Sequence, residues 1–202
     1  MANAIISISV FVVVIVIHEL AHGYVAYRLG DTTARDAGRL TLNPLAHADP
    51  IGTVLLPALL IISRAPVVFG WAKPVPVNPN NFNDPRKGML LTSCAGPASN
   101  LILAVFFAVI FRAGIFPPGS LPGLFLLYGV LISLVLGIFN LIPIPPLDGG
   151  GIVAAILPRE AARKYEKLDR YGFIILIGLL YLGLFDRVIL PLVGVLTKML
   201  LS

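Results

Sequence analysis

The 202-residue chain is poor in two kinds of residue: it has one cysteine, Cys94, and only 12% of its residues are charged. A lone cysteine excludes an intramolecular disulfide and a metal cluster built on several thiolates. In soluble domains about a quarter of the residues are charged, roughly twice the share found here. In addition, 57% of the residues are hydrophobic and the mean hydropathy is +0.93. The sequence therefore predicts an integral membrane protein, with the lipid bilayer as its surroundings.

The net charge of +5 does not indicate a nucleic-acid partner. Most of the basic residues fall in three short loops between apolar runs, where they set membrane orientation. We expect these loops to be cytoplasmic, the N-terminus to lie outside, and the membrane to be a prokaryotic inner membrane. No polar stretch is long enough for a separate soluble domain, so residues 1–202 are expected to form a single membrane-embedded domain. The basic residues of the three loops are Arg28, Arg35 and Arg39; Lys73, Arg86 and Lys87; and Arg159, Arg163, Lys164, Lys167 and Arg170.

Apolar runs account for most of the chain and predict an all-α, multi-pass membrane protein with about five to six transmembrane helices. A secretory signal is not expected at the start, because no basic residue precedes the first run. The last run is short, which suits a tilted or interfacial helix. The runs cover residues 4–28, 51–71, 88–111, 121–142, 171–185 and 188–201.

Two segments depart from the pattern of simple membrane crossings. The run 51–71 has cytoplasmic loops on both sides and is interrupted at Pro57, Arg64 and Pro66, which predicts a re-entrant element beside a protein-lined or water-filled cavity. Segments 38–44 and 73–79 show strand-like alternation or alternate prolines, which forbid a helix and permit edge strands. They predict a small membrane-associated β element.

The chemistry-bearing motif is His18-Glu19-Leu20-Ala21-His22, which directly follows the apolar stretch 10–17 within the first run. Residues four apart share one helix face, so both imidazoles are able to reach one ion, and Glu19 is able to take a proton from a water beside it. An interfacial polar cluster is the alternative. Ionisable groups within a membrane are costly, and this favours a metal site.

A zinc hydrolase needs a third protein ligand and an open position. Asp148 is the candidate, because it follows the apolar run 121–142 after a proline-rich turn, at the same predicted depth as His18 and His22. The other acidic residues fall in loops or on a basic connector. Helix N-capping is the competing interpretation of Asp148.

These motifs resemble those of the site-2 proteases, the intramembrane zinc metalloproteases of peptidase family M50. The resemblance rests on HELAH at 18–22, on Gly-Pro-Ala-Ser-Asn at 96–100, and on Asn140 with the P-x-P-x-L-D-G pattern at 143–149. It covers most of the chain and indicates the compact branch, without a PDZ or nucleotide-binding domain.

The resemblance implies one Zn²⁺ per chain, held by His18, His22 and Asp148, with Glu19 as catalytic base and Asn140 as the amide that positions substrate or stabilises the oxyanion. It also implies regulated intramembrane proteolysis, in which the substrates are single-pass transmembrane proteins cut within or near their membrane segments. Gly96 and Asn100 would let helices pack closely beside the site.

Other interpretations remain open from the sequence. Intramembrane His and Asp also mark ion paths, so a zinc or proton-coupled transporter is the alternative function, although no internal repeat is found. A haem with His18 and His22 on opposite faces is excluded, because both lie on one side of a helix. His47 is left out of the ligand set, and a homo-oligomer is left open.

Overall fold

The computed structural model describes residues 2–63 and 70–202, and within these ranges it contains helices and loops but no β-strand. The all-helical prediction is therefore confirmed for this part of the chain. The α-helices are α1 (Ala2–Arg28), α2 (Thr33–Asp36), α3 (Pro44–His47), α4 (Leu56–Ile62), α5 (Pro85–Arg112), α6 (Leu121–Asn140), α7 (Asp148–Ile156), α8 (Arg159–Glu166), α9 (Asp169–Tyr181) and α10 (Leu190–Leu201). Short π-helices cover Pro50–Leu55 and Phe185–Ile189, and a 3₁₀ turn covers Pro79–Asn81.

Helices α5 and α6 begin where capping residues in the sequence place them. The Asp84 side chain caps α5 by accepting from the N–H groups of Arg86 and Lys87, and Pro85 takes the first helical position, where no N–H is needed. Ser120 caps α6 in the same way, through the N–H of Gly123. These caps fix the first residues of α5 and α6.

Helices α1, α5 and α6 pack against one another in pairs, and α7 packs against α5. Their shared core is apolar and includes residues of the π-helix and α10 at the C-terminal end. Large apolar side chains on the outer faces, such as Ile8, Ile102 and Val109, are exposed, as expected of surfaces that face lipid. The core consists of Val10, Val14, Ala104, Phe107, Ala108, Leu126, Val130, Leu134, Ile189 and Val193.

In the described ranges, three helices are long and apolar enough to cross a membrane: α1, α5 and α6. A fourth span is obtained if α9 and the segment Phe185–Leu201 count together, although they are bent by 67°. The number of five to six spans is therefore not confirmed. The reason lies in the break after α9, where Gly183 adopts φ +88° and divides the last two apolar runs into helices too short to span separately.

The predicted re-entrant element is described only in its first part. Residues Pro50–Leu55 and Leu56–Ile62 form consecutive π and α segments, and the Asp49 side chain accepts from the N–H groups of Ile51 and Gly52 at their start. The returning part, including Arg64 and Pro66, lies outside the described residues. The re-entrant path stays a prediction.

The predicted β element is not confirmed, since neither 38–44 nor 73–79 is a strand in the described residues. Residues 73–78 are instead attached to the protein by separate contacts. The N–H of Lys73 donates to the His47 carbonyl, the Arg39 side chain donates to the Lys73 carbonyl, and the N–H of Asn78 donates to Asp31. Prolines at 74 and 76 lack the N–H groups that a regular ladder requires.

Candidate metal centre

His18 and His22 lie one helical turn apart on the face of α1 that packs into the bundle. Both are buried, with 3% and 9% of their surfaces exposed, and their Nε2 atoms are 3.1 Å apart. An α-helix places residues i and i+4 side by side, so the H-E-x-x-H spacing directly produces this pair. Two imidazoles directed to one point are the first half of a metal site.

Asp148 reaches the same point from the beginning of α7. Its Oδ2 lies 3.2 Å from Nε2 of His18, and its Oδ1 lies 3.3 Å from Nε2 of His22. The turn before α7 brings it there by folding back on the end of α6: a Cβ added to Gly149 would lie 2.3 Å from the Leu141 carbonyl oxygen. Asp148 is the first residue of α7, and no side chain caps that helix, so the N-cap interpretation is not supported.

The spacing of these atoms suits the binding of one zinc ion. Ligand atoms bound to Zn²⁺ at about 2.0 to 2.1 Å lie about 3.3 to 3.4 Å from one another in a tetrahedron. The two Nε2 atoms are 3.1 Å apart, and each lies 3.2 to 3.3 Å from a different oxygen of Asp148. One ligand atom from each of the three residues can be chosen so that all lie within 4.8 Å of one another. Oδ2 of Asp148 is buried and has no hydrogen-bond donor among the described residues. Two imidazoles and a carboxylate are a donor set typical of catalytic zinc, which leaves a fourth position open.

Helix α5 supports both imidazoles from behind. Nδ1 of His22 donates to the Thr92 carbonyl over 2.7 Å, and Nδ1 of His18 lies 2.9 Å from Nδ2 of Asn100. Between these contacts Gly96 packs so closely that an added Cβ would lie 2.3 Å from Nε2 of His22. Close packing at Gly96 was predicted from the sequence, whereas the contact of Asn100 with His18 was not.

Glu19 and Asn140 lie in different surroundings. The Glu19 carboxylate is half-buried and accepts a hydrogen bond of 3.0 Å from the N–H of Val75. Nδ2 of Asn140 donates to the Leu136 carbonyl within α6, over 2.9 Å. The structure thus brings together the three predicted ligands, ties the predicted base to segment 73–78, and holds the predicted amide at the end of α6.

His47 has a place in the loop structure. It is buried, its Nε2 contacts the Thr41 carbonyl at 2.9 Å, and its own carbonyl accepts from Lys73. These contacts join the loop after α1 to the segment that binds Glu19. Its omission from the ligand set agrees with the group of three possible metal ligands, which contains His18, His22 and Asp148.

Asp31 is a buried structural residue, although its position in the sequence indicated only a loop carboxylate. It is 0% exposed and accepts hydrogen bonds from Thr33, from the N–H of Asn78 and from Nδ2 of Asn81. Burial alone would raise the pKa of the Asp31 carboxyl, but the donors from Thr33, Asn78 and Asn81 together hold that pKa below its ordinary value. Asp31 thereby fastens the end of segment 73–78 to the end of α1.

Comparison with known proteins is consistent with this geometry. The model of peptidase family M50 matches residues 120–182, which include α6, Asp148 and α9. YwhC of Bacillus subtilis strain 168, named as a candidate zinc metalloprotease, is 42% identical over 186 residues, which are 88% of this chain and 80% of that protein. The chain belongs to peptidase family M50, the site-2 protease family.

More distant relatives match most of this chain but different shares of their own length. Rip2 of Mycolicibacterium smegmatis, also named as a candidate zinc metalloprotease, is 30% identical over 89% of this chain and 71% of its own length. The zinc metalloprotease MJ0392 of Methanocaldococcus jannaschii is 29% identical over 78% of this chain and 35% of its own length. No solved structure gives a significant match. By family, this M50 member is a membrane metalloprotease, as the sequence motifs predicted.

Proposed function

We propose that this M50 protein is an intramembrane zinc endopeptidase that cuts single-pass membrane proteins within or near their transmembrane segments. The observation that carries the proposal is the convergence of His18, His22 and Asp148 on one point at the inner end of α1. Soluble metalloproteases need no such site within an apolar bundle. A site placed between α1 and the chain beyond α6 suits a substrate that also resides in the bilayer.

One Zn²⁺ per chain is proposed, with these three residues as its ligands. When bound, zinc acts as a Lewis acid that polarises a carbonyl and lowers the pKa of water to about 7. The burial of both imidazoles favours this assignment, since two buried histidines and a carboxylate need a common partner. The fourth position would be left to water or substrate.

Glu19 is the proposed catalytic base. It follows His18 directly, so its carboxylate is able to accept the proton of the attacking water and deliver it to the leaving amine. The N–H of Val75 already holds one oxygen of that carboxylate, and the other oxygen is then available for the proton.

Asn140 is the proposed oxyanion donor. A side-chain amide carries two N–H groups, and the Leu136 carbonyl uses one of them. The second is able to donate to the negative oxygen that develops during peptide hydrolysis. Asn140 precedes the turn that leads to Asp148, so the proposed oxyanion donor and the proposed third metal ligand belong to one short stretch of chain.

The substrate helix must unwind, because a helix hides its carbonyls in internal hydrogen bonds. We propose that segment 73–78 receives the unwound chain. Lys73 and Val75 direct their N–H groups into the protein. Pro74 and Pro76 have carbonyl oxygens but no N–H. The substrate backbone would therefore donate its N–H groups to carbonyls of this segment and find few donors there, which is a restricted form of strand addition. Cleavage that is unchanged after charge substitutions along 73–78 would remove this part of the proposal.

We also propose an orientation, which the basic loops support: the N-terminus outside and the metal centre toward the cytoplasm. The proposed setting is a prokaryotic inner membrane, with residues 1–202 acting as one domain. The relatives favour a protease over the zinc or proton-coupled transporter.

The decisive experiment uses a membrane-embedded reporter in proteoliposomes, with zinc content measured on each protein. Glu19→Gln should retain zinc and lose cleavage, because the amide cannot take the proton. Glu160→Gln, which changes an exposed acid on α8, is the matched control and should cut normally. A Glu19→Gln protein that cuts as well as wild type would refute the assignment, and an effect on zinc flux alone would favour the transporter.

A further inference from the structure

Asn100 is a fully buried polar side chain within α5, one of the three apolar spans. The transfer of an uncharged amide out of water costs a few kcal/mol of free energy unless the amide is hydrogen-bonded. Polar side chains are therefore rare at such depth and mark functional sites. The proposed mechanism does not use Asn100, so its presence needs a separate explanation.

The amide of Asn100 faces the ring nitrogen of His18 that points away from the other ligands. Nδ2 of Asn100 lies 2.9 Å from Nδ1 of His18, while Oδ1 of Asn100 is buried without a hydrogen-bond partner among the described residues. The two ends of an amide have nearly the same shape, and a 180° rotation about its last bond exchanges them. After that exchange, the oxygen would accept a hydrogen bond from Nδ1–H of His18.

His22 shows which arrangement a metal ligand needs. Its Nδ1 contacts the Thr92 carbonyl, which is only an acceptor, so Nδ1 carries the hydrogen. The lone pair of a neutral imidazole is then on Nε2, the atom directed to the site. Histidines that bind metals generally donate their other N–H to an oxygen in this way.

We propose that Asn100 is a positioning residue for His18: its side-chain oxygen accepts the Nδ1–H hydrogen bond and leaves the lone pair of Nε2 for the metal. This inference rests on the proposed zinc site. Thr92, Gly96 and Asn100 are spaced four residues apart, so one face of α5 orients both imidazoles. A Cβ added to Gly137 of α6 would lie 3.3 Å from Cβ of Asn100, so α6 packs closely against Asn100 and limits where its side chain is able to go.

Substitutions of different chemistry separate this role from simple helix packing. Asn100→Leu keeps the approximate volume and removes the acceptor, and should lower zinc affinity about 10- to 100-fold, as loss of an outer partner does. Asn100→Asp keeps an acceptor and should bind zinc within a few-fold of wild type. A packing role predicts the reverse order, because leucine suits an apolar span and a carboxylate does not. Ser133→Ala, which removes another fully buried polar group, is the control and should leave affinity unchanged.

Zinc affinity would be measured by chelator competition on the full chain in detergent, with the Co²⁺ absorption spectrum as a report on ligand geometry. The Leu variant should also show an altered Co²⁺ spectrum, and the Asp variant should restore the wild-type spectrum. A Leu variant with wild-type affinity, or an Asp variant no better than Leu, would overturn the positioning role.

A measurement on the wild type alone avoids dependence on folding of the variants. In metal-free protein, ¹⁵N NMR of the histidine rings should find the hydrogen of His18 on Nδ1, and its location on Nε2 would overturn the inference. If the proposed zinc site itself is wrong, the wild-type protein will bind no zinc at all, and this outcome differs from a failure of the role proposed for Asn100. A wild type that binds one zinc, together with an unaffected Leu variant, overturns only the role of Asn100.

Discussion

The carboxylate of Glu19 accepts a hydrogen bond of 3.0 Å from the backbone N–H of Val75, fifty-six residues further along the chain. This contact joins the H-E-x-x-H helix to segment 73–78, which is otherwise attached through Lys73 and Asn78. The Val75 side chain also packs on α1, where a Cβ added to Gly23 would lie 2.9 Å from its Cγ1. The proposed base and the proposed substrate-receiving segment are therefore coupled.

Removal of that N–H should slow cleavage without removing the metal. Val75→Pro deletes the donor to Glu19 and should lower kcat about 10-fold or more, since one hydrogen bond to a charged group contributes about 1.5 to 3 kcal/mol. Zinc content should remain at the wild-type value. Val75→Ala keeps the N–H and loses only side-chain packing, so its kcat should be affected less; equal effects of the two variants would argue against the coupling.

A side chain at position 96 should displace the ligands. An added Cβ would lie 2.3 Å from Nε2 of His22 and 2.5 Å from Cε1 of His18, closer than van der Waals contact allows. Gly96→Ala is therefore expected to lower zinc occupancy severalfold, measured by metal analysis after equilibration with a chelator. Gly178→Ala, in α9 where an added Cβ meets no atom within 4 Å, should retain full occupancy; loss in both would indicate general instability.

The placement of Asp148 should depend on Arg86. The Arg86 guanidinium donates to the carbonyls of Ala155, Ile156 and Leu157 at the end of α7, the helix that begins with Asp148. Arg86→Ala should lower the melting temperature in detergent by about 2 to 4 °C, for a loss of about 1 kcal/mol, and weaken zinc binding. Lys87→Ala changes the neighbouring exposed cation and should have neither effect.

The attachment of segment 73–78 should depend on Asp31 and on pH. Asp31→Ala removes the acceptor of Asn78 and Asn81, and should speed hydrogen exchange at Asn78 about 10- to 100-fold at pH 7. Asp36→Ala, which changes an exposed acid at the end of the neighbouring helix α2, is the control and should leave exchange at Asn78 unchanged.

The pH dependence of this effect has a definite sign. Because the pKa of the folded Asp31 carboxyl lies below its ordinary value, its stabilisation is complete above the unfolded pKa of about 3.9. It is lost as the pH falls through the folded pKa. The difference between wild type and Asp31→Ala should therefore be constant from pH 5 to 7 and disappear in acid. A difference that grows with acidification would contradict the account.

The metal ligands were predictable because their signals are local or topological. As proposed ligands, His18 and His22 follow from a spacing of four on a helix, and Asp148 follows from the predicted membrane orientation, which places the ends of the first and fourth apolar runs on the same side. Asn100 and Asp31 were not recognised in their roles, because the partner of Asn100 is 82 residues away and two partners of Asp31, Asn78 and Asn81, are 47 and 50 residues away. For Asn100, the available signal in the sequence was the presence of an asparagine inside an apolar span.

The fold was predictable in class but not in the number of spans. Apolar length identified α1, α5 and α6: α1 carries both histidines, α5 supports them, and α6 leads to the turn before Asp148. The last two runs were harder, because the break at Gly183 depends on a local backbone conformation that hydropathy does not report. The extended character expected of segment 73–79 led to a predicted strand, whereas side-chain acceptors such as Glu19 and Asp31 satisfy its backbone instead.

The central claim is that one zinc ion is held jointly by α1 and by the chain just beyond α6. Zinc K-edge X-ray absorption on the purified protein, with zinc counted per chain, tests it most directly. The account predicts one zinc per chain in wild type, coordinated by two imidazoles and oxygen without sulfur, and little or none in Asp148→Ala. Full zinc occupancy with an unchanged spectrum in Asp148→Ala would contradict it.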